Sequence, residues 1–151
     1  MLYFAYGSNL NRKQMKRRCK DSKYIGCYTL KNYKLSFRGN HFSGGPLDGG
    51  VADIKKKKNS NVLGAIYTIS KKDEKKLDIY EDYPKLYIKK YFLMLGKKVM
   101  YYYMPSRLPQ RKPSKRYLNI IVQGYKDCGY KNKYIFISTN TKIKVKWNQT
   151  L

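Results

Sequence analysis

Short apolar runs, interrupted by glycine, proline and lysine-rich breaks, make up most of this chain. Residues 2–6 (LYFAY) form a continuous apolar run of the kind a buried strand shows. Gly7-Ser8-Asn9 ends it, and Ser8 or Asn9 is placed to cap a helix to about Cys19, with Leu10, Met15 and Cys19 on its apolar side. Residues 25–30 and 33–38 read as two strands joined by a short polar turn, and the glycine-rich stretch 39–50 as a loop. Residues 50–54 and 62–69 read as two further strands on either side of a lysine-rich turn. Ser70 then starts a helix, with Asp73 three residues on in a variant of the capping box. That helix ends near Asp82, because Pro84 cannot continue it.

The second half follows the same logic. Residues 87–95 and 97–104 flank Gly96 as the two arms of a hairpin. Residues 106–114 form a loop, and Ser114 caps a helix through about Gly124, with Leu118, Ile121 and Val122 at helical spacing. The alternation in residues 142–147 (KIKVKW) predicts a half-exposed strand. Strands outnumber helices and no βα unit repeats, so an α+β fold is expected. With 151 residues, no internal repeat and no linker, the chain reads as a single domain over 1–151, with 138–151 as a C-terminal extension.

Composition changes the picture in one respect. The net charge is +25, and only seven of the 34 basic residues are Arg. Such a field favours anionic partners: a charged small molecule, nucleic acid or a membrane face. Specific reading of bases leans on Arg forks, which are scarce here, so any polyanion binding is expected to be weak and non-specific. The lysines at 55–58 read as a solvated loop. No apolar run is long enough to span a membrane, and the first residues enter a strand pattern instead of a signal peptide. The cysteines, Cys19, Cys27 and Cys128, have no metal-ligand spacing and read as buried or idle thiols in a reducing cytoplasm.

Candidate chemistry is sparse. The single histidine, His41, lies in the glycine-rich loop with no second ligand nearby, and no phosphate-binding or zinc motif occurs, so neither metal nor cofactor is expected. Glu81 is the exception. In LDIYEDYP it lies four residues after Leu77, on the face of a core leucine near the C-terminal end of a helix. Desolvation and the negative end of the helix dipole would both raise its pKa, as a general acid/base requires. The alternative is a surface glutamate paired with Lys85 or another lysine.

Five segments, in order, resemble the γ-glutamylcyclotransferase family, including its γ-glutamylamine cyclotransferase and AIG2-like branches. They are YFAYGSNL (3–10), GGVADI (49–54), NVLGAIYTI (61–69), LDIYEDYPKLY (77–87) and PSKRYLNIIVQGYKDCGY (113–130). The resemblance implies a small mixed β-barrel, closed or nearly so, flanked by helices. It implies release of a γ-glutamyl group as 5-oxoproline from a γ-glutamyl amine or peptide, with Glu81 as general acid/base. On the same ground Tyr6, Gly7, Ser8, Asn9 and Leu10 hold the glutamyl unit, Gly7 permitting a sharp turn, while Tyr87 contributes its hydroxyl to substrate binding and Tyr117 is a further substrate-binding candidate. Two other readings stay open: a cationic nucleic-acid-binding protein, and a non-catalytic module that captures an anionic ligand in the same pocket.

Overall fold

The computed structural model describes residues 1–39, 49–105 and 107–130, together with the backbone of 135–136 and 142–143. His41 lies outside the described residues, as do 144–147 of the expected last strand. The elements are β1 (Leu2–Ala5), a 3₁₀ turn (Ser8–Leu10), α1 (Arg12–Arg18), β2 (Lys23–Arg38), β3 (Val51–Thr68), α2 (Lys71–Tyr80), β4 (Ile88–Met94), β5 (Lys97–Tyr103), α3 (Lys115–Asp127), β6 (Ile135–Phe136) and β7 (Lys142–Ile143). β6 pairs with β7 in a separate ribbon.

The main sheet has the order β2-β3-β1-β5-β4. β1 lies at its centre, antiparallel to β3 (Tyr3 opposite Tyr67) and parallel to β5 (Tyr3 opposite Met100). Its residues Tyr3, Phe4 and Ala5 are all buried, which is why this strand reads as continuously apolar. The α+β class is as expected, but the sheet is not closed as a barrel is. No hydrogen bonds join its outer strands β2 and β4, whose side chains instead meet through a stacked pair, Tyr28 on Phe92, with centroids 5.4 Å apart.

Three features differ from expectation. The first helix begins at Arg12, because Asn11 is the cap: its side chain accepts a hydrogen bond from Gln14 N at 2.9 Å. Residues 8–10 wind instead into the tighter 3₁₀ turn, which leaves the Asn9 side chain available for other bonds. The second difference is length. β2 and β3 each run straight through the breaks read as turns, because a break on one strand is absorbed as a bulge against the other. The register slips between Lys31 and Tyr33, where residues 57–60 bulge out and Asn59 N donates to Asn32 Oδ1 at 3.2 Å. The lysines 55–58 are solvated as expected, but on a strand.

The third concerns sulfur. Cys27 and Cys128 are joined in a disulfide that ties β2 to the end of α3, so only Cys19 fits the expectation of a buried free thiol. A separation of 101 residues carried no signal that the fold would bring them to a Cα–Cα distance of 5.7 Å.

α2 and α3 follow their sequence signals closely. Ser70 and Ser114 cap them, each accepting from the backbone N–H three residues on. α3 buries Tyr117, Ile121, Gly124 and Tyr125, and Leu118 and Val122 pack partly on the core. Gly124 brings this helix onto the 3₁₀ turn: a Cβ there would stand 2.7 Å from the Leu10 carbonyl carbon and 2.8 Å from Asn11 N. The helix that buttresses the turn can approach so closely only without a side chain at 124. Gly124→Ala is therefore expected to destabilise the protein by about 1–3 kcal/mol, the usual cost of overpacking. Urea denaturation measures it; an unchanged midpoint would mean that the turn is not held this way.

Candidate active site

Where β1 ends, the chain turns at Gly7 into the Ser8–Leu10 turn, closed by Leu10 N to Gly7 O (3.0 Å) and Asn11 N to Ser8 O (3.2 Å). The amides of residues 7–9 take no part in these bonds, as expected of the opening of a helical turn. Gly7 has φ −104°, so the turn does not require a left-handed residue. What glycine provides is room, since a Cβ would lie 3.2 Å from Ala52 Cβ and 3.4 Å from the Tyr117 hydroxyl.

This turn faces a cavity of about 140 Å³ that is also lined by Glu81, Tyr87 and Tyr117. Tyr6, Gly7, Ser8 and Asn9 all reach it. Leu10 does not: it is fully buried behind the turn, where it packs under Gly124. Its side chain anchors the site and its backbone closes the turn.

Glu81 caps the C-terminal end of α2, with its amide bonded to Leu77 O at 2.8 Å. Leu77 is fully buried, and this phase of the helix turns Glu81, which stays partly exposed, toward the cavity. Its Oε1 accepts from Asn9 Nδ2 at 3.1 Å, and the same nitrogen donates to the Tyr3 hydroxyl at 3.1 Å. Burial pushes the Glu81 carboxyl up from its ordinary value of 4.5 to about 7, against the opposing pull of the Arg18 cation and the Asn9 hydrogen bond. The surrounding phenols, Tyr3, Tyr6, Tyr87 and Tyr117, are all raised as well, by burial first and then by neighbouring negative or phenolic groups. They are neutral at ordinary pH.

The tyrosines also build the walls. Tyr6 donates to the Tyr102 carbonyl at 2.7 Å. β1 reaches only as far along β3 as Ala65, so β3 is unpaired on its outer side at Ala52. There Ala52 N donates to the Tyr117 hydroxyl at 3.1 Å, and the Tyr87 hydroxyl donates to Ala52 O at 2.5 Å. Two phenols thus take the place of a missing strand and hold that wall of the cavity.

Other lining residues did not stand out in the sequence. Tyr3, Val51, Ala52, Tyr80 and Leu86 lie within segments that carry the family resemblance, but nothing in their spacing marked them individually. Tyr102 sits in a run of three tyrosines, and Arg18 closes a helix rich in basic residues, so neither could be singled out. Among the described residues, no group of three or more His, Cys, Asp or Glu is gathered as a metal site would need.

Fold and pocket together define a small α+β protein with a partly buried carboxylate facing a tight turn of backbone amides. Residues 3–121 match the family described as gamma-glutamyl cyclotransferase, AIG2-like, and the chain belongs to that family. Among solved structures it is similar to one titled gamma-glutamyl cyclotransferase, at 27% identity and a TM-score of 0.74, covering 85% of this chain and 80% of that one. It is equally similar to a Homo sapiens structure titled as uncharacterized protein loc79017, at 27% identity and a TM-score of 0.73, covering 85% and 79%. An AIG2-like protein from Mus musculus shares the fold at 20% identity and a TM-score of 0.53, covering 76% and 87%. No curated protein sequence matches the chain significantly.

The raised carboxyl has a consequence for stability. Between pH 4.5 and about 7 the folded state retains a proton on Glu81 that the unfolded chain has released. The contribution of Glu81 to stability therefore falls as pH rises through that window. Glu81→Gln is expected to melt above wild type at pH values above 7, and to lose that part of the pH dependence. Calorimetry across the range checks this; coincident melting curves for the two proteins at every pH would contradict a desolvated Glu81.

Proposed function

We propose that this protein is a γ-glutamyl cyclotransferase that releases 5-oxoproline from a γ-glutamyl amine or peptide by intramolecular aminolysis. One observation carries the reading: a carboxylate tuned to about pH 7 shares a cavity of about 140 Å³ with the opening amides of the Ser8–Leu10 turn. Such a cavity is well below the roughly 300–1,000 Å³ typical of drug-sized ligand pockets. It suits a glutamyl unit, with the amine portion of the substrate leaving through the mouth.

In this mechanism the α-amine of the glutamyl group attacks its own γ-carbonyl carbon. The new C–N bond closes a five-membered ring, and the original amide C–N bond breaks. Glu81 begins as a carboxylate and takes a proton from the α-nitrogen. It then delivers that proton to the departing nitrogen, which leaves as a neutral amine. A group poised near neutrality does both halves of this transfer well. The amides at 7–9 are the candidates to receive the developing oxyanion, as unpaired N–H groups at the start of a turn can. Intramolecular attack already brings an effective molarity on the order of 10⁵ M or more, so folding the glutamyl chain is the main task left to Tyr6, Tyr87 and Tyr117.

The high positive charge supports only weak, sequence-blind contact with polyanions, expected to vanish by about 0.2 M salt. A panel of γ-glutamyl compounds, with 5-oxoproline as the readout, tests the catalytic reading. Glu81→Gln is expected to fold and to lose at least about 10²-fold in turnover, the size of a general acid/base contribution. Ser8→Ala should lose far less if the backbone of the turn does the binding. Near-wild-type turnover in Glu81→Gln would remove this residue from the mechanism. Binding without turnover in the wild type would favour an anion-capturing module.

A further inference from the structure

Arg18, the last residue of α1, points its guanidinium at the back of the pocket. Its Nη1 donates to Asn9 Oδ1 at 2.6 Å and to Ser8 Oγ at 3.0 Å. Its Cζ lies 3.4 Å from the centroid of the Tyr80 ring, and the Tyr80 hydroxyl is hydrogen-bonded to Ser8 Oγ at 3.2 Å. The ion pairs among the described residues do not include Arg18, so these contacts, and not a carboxylate, hold it.

The chemistry of the groups makes this arrangement directional. A guanidinium carries donors and no acceptor, so it selects the oxygen end of the Asn9 carboxamide. The nitrogen end is thereby turned toward Glu81 Oε1 and the Tyr3 hydroxyl, both at 3.1 Å. With the amide reversed, donor would face donor at Arg18 and acceptor would face acceptor at Glu81. We infer that Arg18 is a positioning residue that fixes the orientation of Asn9 toward Glu81 and pins Ser8 and Tyr80 together at the pocket. The inference rests on the reading of Glu81 as the acid–base group.

Arg18 also supplies charge. Facing Glu81 from the neighbouring elements are the neutral phenols of Tyr3, Tyr6, Tyr87, Tyr102 and Tyr117, with Asn9 and the Arg18 cation. On and beside its own helix the charged neighbours are Asp78, which is tied to Lys89 and the Tyr102 hydroxyl, and the exposed Asp82. Removing the Arg18 cation therefore removes a pull that holds the Glu81 pKa down.

The chain contains only two glutamates, Glu74 and Glu81, so labelling with glutamate carrying ¹³C at the carboxyl gives two resonances to follow by NMR. In wild type, one should titrate near pH 7. In Arg18→Gln the Glu81 midpoint is expected to rise by roughly one unit, the lower end of the effect of an adjacent opposite charge. The pH profile of kcat for 5-oxoproline release should move up with it, and kcat should fall about 10-fold, the lower range of what mispositioned catalytic groups lose. Arg18→Lys keeps the charge and loses the planar guanidinium that lies over the Tyr80 ring, so its midpoint should return toward wild type while kcat stays low. Arg17→Gln, an exposed change one residue away, should alter none of these.

An unmoved Glu81 midpoint and pH profile in Arg18→Gln, even with a lower melting temperature, would reduce Arg18 to a structural residue and overturn the inference. If Arg18→Gln does not fold, Arg18→Lys decides: wild-type kcat there would show the planar guanidinium to be dispensable and overturn the inference. A shifted midpoint in a protein that turns over no γ-glutamyl compound would sustain the inference about Arg18 while refuting the catalytic reading.

Discussion

A carboxylate withdrawn from water is costly unless it is protonated or hydrogen-bonded, and the pocket is organised around that constraint at Glu81. Leu77 sets the phase of α2 so that Glu81 turns inward at its C-terminal end, where the helix dipole adds to the effect of desolvation. A single nitrogen, Asn9 Nδ2, moderates the cost by bonding both Glu81 and Tyr3. Asn9 can be there because the chain leaves the central strand through a 3₁₀ turn, and that turn is held from behind by Leu10 packed under Gly124. Strand, turn, helix end and buttressing helix thus converge on one hydrogen bond. The resulting carboxyl is held near neutrality in its pKa.

The charge distribution sharpens this picture. Of nine acidic residues in a chain of net charge +25, five lie between positions 73 and 82, on α2 and the segment that carries Glu81. Lys89 binds Glu74 at 2.7 Å and Asp78 at 2.8 Å, so part of this acidity is neutralised locally. Far from it, Lys34 stands directly opposite Lys55 across β2 and β3, beside the bulge at 57–60. Like charges so placed repel, which the exposure of this stretch to solvent screens. The pocket itself is lined mainly by phenols and amides.

Much of this was legible in the sequence where local physics and tertiary structure agree. Ser70 and Ser114 cap their helices as their side chains dictate, and the apolar run at 2–6 is the buried central strand. Glu81 was visible because a helical spacing of four from Leu77 gives a carboxylate an inward direction. Other features depend on partners distant in the chain. A lysine-rich break reads as a turn unless the opposite strand is known to continue past it. Leu10 belongs to the turn motif, yet its side chain answers to Gly124, which only the packing of α3 reveals. Cys27 and Cys128 meet across 101 residues, and Arg18 is distinguished from its basic neighbours only by what it touches. Barrel closure fails for the same reason: β2 and β4 approach by side chains alone.

The central claim, that the α-amine of the substrate and not water attacks the γ-carbonyl, is tested most directly by following the oxygen. A γ-glutamyl amine incubated with the protein in H₂¹⁸O should yield free amine and 5-oxoproline whose ring carbonyl carries no ¹⁸O. Release of glutamate labelled with ¹⁸O in its γ-carboxyl would show hydrolysis instead, and would contradict the account.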